Sequence, residues 1–126
     1  MSFKSLTPGA LLCPVPAVMV SCARAGERPN IITIAWAGTV CSQPPMLSIS
    51  VRPERYSHDI LTESGEFVVN LVGDGQLRAA DFCGVKSGRD TDKFAACRLT
   101  PVAVPQMRQA PAIAECPLYL ACKIQQ

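Results

Sequence analysis

Charge, histidine and aromatic rings are all scarce in this chain: charged residues make up 17% of its 126 residues, aromatics 6%, and there is a single histidine. A net charge of +2, spread over scattered Lys and Arg, excludes the clustered basic face that a nucleic-acid partner requires. No apolar run approaches the ~20 residues of a membrane helix, and Met1-Ser2-Phe3-Lys4-Ser5 lacks a signal-peptide layout. The expectation is a cytosolic (cytoplasmic) protein with neither nucleic acid nor membrane as partner. No Cys-x-x-Cys occurs, and the seven cysteines (Cys13, Cys22, Cys41, Cys83, Cys97, Cys116 and Cys122) are odd in number, widely spaced and mostly set in apolar runs. That pattern argues against a disulfide scaffold and, with one histidine, against a zinc or iron–sulfur site. The cysteines read as small buried hydrophobes, and no metal is expected. Internal repeats, low-complexity tracts, paired carboxylates and a catalytic triad are also missing.

What is present is apolar: 48% of the residues, enough for one domain (1–126) with a real core, yet small enough for a partner to complete it. Periodicity favours strands at Ala17–Arg24, Ile31–Gly38, Met46–Arg52, Glu66–Val72 and Leu118–Ile124. Between the first two, Ala25-Gly26-Glu27-Arg28-Pro29-Asn30 predicts a turn and hence a hairpin or near neighbours in one sheet. Helices are few and short. Ser57 can cap one through about Ser64, and Gln76–Cys83 can form another turn or two. Eleven prolines break up the remainder.

Within the second run, Ile32, Ile34 and Trp36 share one face, while Ile31, Thr33, Ala35 and Ala37 share the other. From Thr33 onward that second face is small, so either a flat heteroaromatic ring or packing from elsewhere in the chain can approach it. In the third run Leu47, Ile49 and Val51 alternate with Met46, Ser48, Ser50 and Arg52, which puts Arg52 at the strand end.

Two cationic, hydroxyl-bearing segments stand out from this background: Arg52-Pro53-Glu54-Arg55-Tyr56-Ser57-His58-Asp59-Ile60 and Ser87-Gly88-Arg89-Asp90-Thr91-Asp92-Lys93-Phe94. Together they look like two halves of a phosphate clamp. A phosphate monoester is well satisfied by Arg, Lys, hydroxyls and the N–H groups at a helix start. The plainer reading has Arg52 and Arg55 pairing with Glu54 or Asp59 at the surface, Ser57 only capping a helix, and His58 as an incidental first-turn residue.

The succession Asn30-Ile31-Ile32-Thr33-Ile34-Ala35-Trp36-Ala37-Gly38, Pro44-Pro45-Met46-Leu47-Ser48-Ile49-Ser50-Val51-Arg52, Arg55-Tyr56-Ser57-His58-Asp59-Ile60, Phe67-Val68-Val69-Asn70-Leu71, Ser87-Gly88 and Asp92-Lys93-Phe94 strongly resembles the flavin reductase-like family that includes flavoredoxin. The resemblance runs in order from about Val15 to Leu120. It implies a mainly β fold, an FMN-binding split β-barrel with short flanking helices, and a homodimer with the flavin at its interface. Members of the family run longer, so this chain is C-terminally short relative to them, and its last strand would leave an open edge.

Carried residue by residue, the resemblance implies that Asn30, Thr33, Ala35, Trp36 and Ala37 lie beside the flavin ring. Ser57 and Lys93 would hold the phosphate, with Arg52, Arg55, His58 and Ser87 as helpers, and Phe94 is a core anchor. Cys41, in the loop before Pro44, has no flanking base that would make it a redox nucleophile. The implied function is an NAD(P)H-dependent flavin reductase or a flavoredoxin-like electron-transfer protein, with FMN as cofactor and NADH or NADPH as donor of a hydride to flavin N5. An electron-acceptor protein is a possible partner. The absence of acid–base machinery does not count against an enzyme of this kind, because the cofactor carries the chemistry. Two alternatives stand beside it: a non-catalytic or truncated split-barrel dimer acting as a binding or interaction module, and an enzyme resembling pyridoxamine-phosphate oxidases on the same type of barrel.

Overall fold

A computed structural model describes residues 1–126. In chain order its elements are β1 (Val18–Cys22), β2 (Asn30–Ile34), β3 (Ala37–Ser42), β4 (Pro45–Ile49), α1 (Tyr56–Ser64), β5 (Glu66–Leu71), α2 (Leu77–Val85, entered through a 3-10 turn at Asp74–Gln76), α3 (Lys93–Ala96), β6 (Pro101–Val102), β7 (Ala112–Ile113) and β8 (Tyr119–Lys123). The fold is mainly β with short helices, as the periodicity predicts. No helix is long and apolar enough to cross a membrane.

All five residues of β1 are buried, so this strand lies inside the sheet rather than at its rim. The sheet order is β2-β1-β5-β8, antiparallel throughout. The predicted hairpin is present, with Val20 opposite Ile32 and Cys22 opposite Asn30, and Gly26 supplies a positive φ of 76° in its turn. Alternation along β1 divides the core. Val18, Val20 and Cys22 pack with Ile34, Ile60, Leu61, Phe67 and Val69 on one face. Met19 packs with Ile31, Ala80, Cys83 and Phe94 on the other, which bears out Phe94 as an anchor. Each such side chain, fully buried, contributes about 1.5–3 kcal/mol.

The run Ile31–Gly38, expected as one strand, is two. It breaks at Ala35–Trp36: β2 stays in the main sheet, while β3 pairs with β4 in a separate two-stranded sheet, Ala37 opposite Ile49. Ile31 and Ile34 sink into the two cores, but Ala35 is exposed and Trp36 is 55% exposed. The pairing of β1 with β2 ends at Val18 and Ile34, so neither burial nor a ladder partner holds the strand beyond that point.

The Pro-rich segment after α3 crosses the opposite face of β5. Val68 packs there with Val104, Ala110 and Ala112. The Glu66 carboxylate accepts the backbone N–H groups of Arg108, Gln109 and Ala110 at 2.9–3.1 Å. Asn70 accepts the Ile113 N–H at 2.9 Å and donates to Ser21 Oγ and the Met19 carbonyl. Every one of these buried polar groups is partnered, as burial demands. On the other side, an apolar groove of about 1800 Å³ separates the β3–β4 hairpin from β8.

Candidate functional site

The chain leaves β4 through a turn in which the Arg55 N–H donates to the Arg52 carbonyl at 3.0 Å, with Pro53 at the second position where its fixed φ fits. α1 begins at Tyr56, immediately after that turn, and its first turn therefore opens beside the cationic segment. The last turn of α2, the loop after it and the first residue of α3 approach the same point. Between them lies a cavity of about 250 Å³, whose charged and hydroxyl-bearing wall is formed by Arg55, Ser57, Lys86, Ser87, Arg89 and Lys93, with Glu54 as its one carboxylate.

Ser57 does not cap α1. Arg55 occupies the cap position in an extended conformation and makes no side-chain cap hydrogen bond. Ser57 lies within the first helical turn, 1% exposed, where its Oγ accepts a 2.8 Å hydrogen bond from Asn30 Nδ2. The same hydroxyl touches Cys22, whose thiol burial pushes up to about 11. Gly88 lies against this pair: a Cβ there would collide with the Asn30 side chain and come within 2.7 Å of Tyr56 Cδ2. Arg28 Nη2 holds the Gly88 carbonyl at 3.0 Å, and the Arg89 guanidinium sits 5.8 Å from the Tyr56 ring centroid. These contacts close the second segment onto the first.

Lys93 is 2% exposed. Its Nζ donates to the carbonyls of Ile31 (2.7 Å) and Cys83 (2.9 Å), joining α3 to β2 and to the end of α2. Burial pushes its ammonium below the ordinary lysine range; the nearby thiols oppose this and Arg55 adds to it. An ammonium has three donors, so one remains for a ligand.

Of the residues singled out in the sequence, Asn30, Arg55, Ser57, Ser87 and Lys93 line this cavity. The others lie elsewhere. Thr33 Oγ1 donates to the Ala80 carbonyl, and a Cβ on Gly84 would sit 3.3 Å from Thr33 Cβ, so the small face at Thr33 admits α2. Ala35 and Trp36 are exposed at the strand break, and Ala37 packs beside the first core cluster. Arg52 pairs with Glu54 at 3.4 Å. His58 lies 3.4 Å from Asp59 and on the wall of the apolar groove. The structure adds Tyr56, Lys86, Gly88 and Arg89 to the cavity. Three of these belong to the two cationic segments; Lys86, one residue before the second, carried no signal.

The family model described as flavin reductase like domain matches residues 11–126. The chain belongs to this family. Among solved structures, this flavin reductase like domain is similar to the flavoredoxin of Desulfovibrio vulgaris (Miyazaki F), with a TM-score of 0.90 and 37% identity over 97% of this chain and 66% of that one. A flavoredoxin from Methanosarcina acetivorans gives a TM-score of 0.84 and 27% identity, covering 98% of this chain and 66% of that one. The reductase component of a 4-nitrophenol 4-monooxygenase/4-nitrocatechol 2-monooxygenase from Rhodococcus opacus is 27% identical over 92 residues, 73% of this chain and 45% of that protein. The chain spans about half the length of the curated relatives it matches, 52–56% for three of them.

Proposed function

We propose that the cavity at the start of α1 holds the phosphate of FMN, and that the chain is the flavin-binding portion of an NAD(P)H-dependent flavin reductase or a flavoredoxin-like electron-transfer protein. The observation that carries this reading is the composition of the wall: four cations, Arg55, Lys86, Arg89 and Lys93, face one carboxylate, Glu54, beside the two serine hydroxyls of Ser57 and Ser87 and a helix N-terminus. At about 250 Å³ the cavity is smaller than the ~300–1,000 Å³ of pockets that enclose a whole ligand, so it suits the phosphate end. Similarity to flavoredoxins supports flavin as what hangs from that phosphate.

In this reading Ser57 and the free donor of Lys93 bind the phosphate, Asn30 orients Ser57, and Arg55, Arg89 and Ser87 close over it. Arg52 acts from further out, through its charge, and His58 as a polar neighbour in the first turn of α1. The exposed Ala35 and Trp36, with Ala37, border the ring at a homodimer interface, while Thr33 packs against α2 behind them. A flavin held by these residues would supply the hydride and electron-transfer chemistry, with NADH or NADPH as donor and a further acceptor downstream. An oxygenase is one such acceptor, given the likeness to a monooxygenase reductase component. We place the protein in the cytoplasm and treat 1–126 as a single domain.

The deciding experiment is a titration of the purified chain with FMN, followed by flavin fluorescence and visible absorbance, with riboflavin as the phosphate-free control. Tight FMN binding with much weaker riboflavin binding is the expected result, and NAD(P)H-dependent bleaching is then the assay for reductase activity. A folded chain that ignores both flavins would overturn the reading in favour of a split-barrel interaction module.

A further inference from the structure

Cys83 and Cys97 form a contact pair, with Sγ–Sγ at 3.9 Å and both thiols free. Cys83 is buried in the last turn of α2, and Cys97 follows α3 and is half-buried. The chain between them carries Ser87, Gly88, Arg89 and Lys93, which is one half of the cavity wall. The backbone fixes both ends of this segment. Lys93 Nζ donates to the Cys83 carbonyl at 2.9 Å, and the Cys97 N–H donates to the Lys93 carbonyl at 3.0 Å. Immediately after Cys97, Arg98 has a φ of 55°, the one positive φ outside glycine, which turns the chain sharply away from α3. The two sulfurs are thus presented directly to each other by elements held on both sides.

We infer that Cys83 and Cys97 are a peroxide-oxidisable dithiol that closes to a disulfide and staples the segment between α2 and α3. Burial holds the Cys83 thiol protonated, pushed up to about 12, so the more accessible Cys97 is the one that meets the oxidant. The Cys97 thiolate attacks hydrogen peroxide, the O–O bond breaks, and Cys97 becomes a sulfenic acid as hydroxide leaves. Cys83 sulfur then attacks Cys97 sulfur, the S–O bond breaks, and the Cys83 proton leaves with the hydroxyl as water. Two thiols and one peroxide give one disulfide and two waters, with two electrons passing from sulfur to oxygen. No flavin is needed, so this inference stands apart from the proposed function.

The test is to treat the full chain with a small excess of hydrogen peroxide, alkylate it under denaturing conditions and map its peptides by mass spectrometry. The expected result is that two of the seven thiols escape alkylation, in a peptide joining Cys83 to Cys97 that dithiothreitol separates. Cys83→Ser should leave a sulfenic acid at Cys97 that dimedone traps. Alkylation of all seven thiols after peroxide, a sulfinic acid at Cys97 without a cross-link, or a bridge to a different cysteine would each overturn the inference. If the Cys83→Ser chain does not fold, the wild-type peptide map decides the matter alone.

Discussion

Asn30 donates through Nδ2 to Ser57 Oγ at 2.8 Å, tying the first residue of β2 to the first turn of α1. Both side chains are buried, so the bond is shielded from water. Ser57→Ala leaves the Asn30 amide without its acceptor, which costs about 1–3 kcal/mol of stability. It also removes a hydroxyl from the proposed phosphate site, so on that proposal FMN affinity should fall roughly tenfold or more. Urea denaturation and the flavin titration read the two effects separately. An unchanged urea midpoint would show that another group satisfies Asn30.

Gly88 and Gly38 make a matched pair for testing how closely the two cationic segments must approach. A Cβ on Gly38 meets nothing within 4 Å, whereas one on Gly88 runs into Asn30 and Tyr56. Gly88→Ala should destabilise by about 1–3 kcal/mol through overpacking and should weaken FMN binding. Gly38→Ala should leave both nearly unchanged. Equal behaviour of the two variants would mean that the Gly88 loop relaxes freely.

Lys93→Met keeps most of the side chain but not its donor, and leaves the carbonyls of Ile31 and Cys83 each without a partner, at a cost of about 1–3 kcal/mol apiece. The expected outcome is a lower urea midpoint together with weaker FMN binding. Weaker binding at wild-type stability would make Lys93 a phosphate ligand alone. Lower stability with unchanged affinity would make it a strut alone.

Glu66 provides the clearest pH signature. Burial raises its carboxyl pKa, but the N–H groups of Ala110, Arg108 and Gln109 outweigh that and hold it below the ordinary value of 4.5. With the folded pKa depressed, the carboxylate's stabilisation is fully present above the unfolded pKa and is lost as pH falls through the folded one. Wild-type stability should therefore drop as the pH goes below about 4.5. Glu66→Gln, which carries one acceptor where the carboxylate has two, should lose roughly 1–3 kcal/mol near neutrality and flatten that acid limb. Denaturant midpoints measured across the acid range check both parts.

The strands at Val18–Cys22, Glu66–Leu71 and Tyr119–Lys123 were legible because their apolar runs have the length of a strand, and the first hairpin because Gly26 and Pro29 punctuate it. Half of the site was legible as well, because cations and hydroxyls cluster in two short segments. The strand break at Ala35–Trp36 was not, since composition does not reveal that β1 starts only at Val18 and so leaves β2 without a ladder partner beyond Ile34. Lys93 follows Asp92 in a polar stretch that reads as surface, and its burial depends on two carbonyls brought from β2 and α2. The Glu66 cage and the two-residue strands β6 and β7 depend likewise on a Pro-rich segment folding back over β5, which no local pattern announces.

The β3–β4 hairpin shares no ladder with the main sheet and is tied to the first core cluster through side chains such as Ala37, Leu47 and Ile49. Deuterium uptake should therefore come in two tiers. Amides in β1 and β5 should exchange only when the whole molecule opens, while those of the hairpin should exchange through a smaller excursion that leaves the four-stranded sheet closed. The segment that carries Ala37 would then be the part of the protein able to rearrange around an arriving molecule without any cost to the rest.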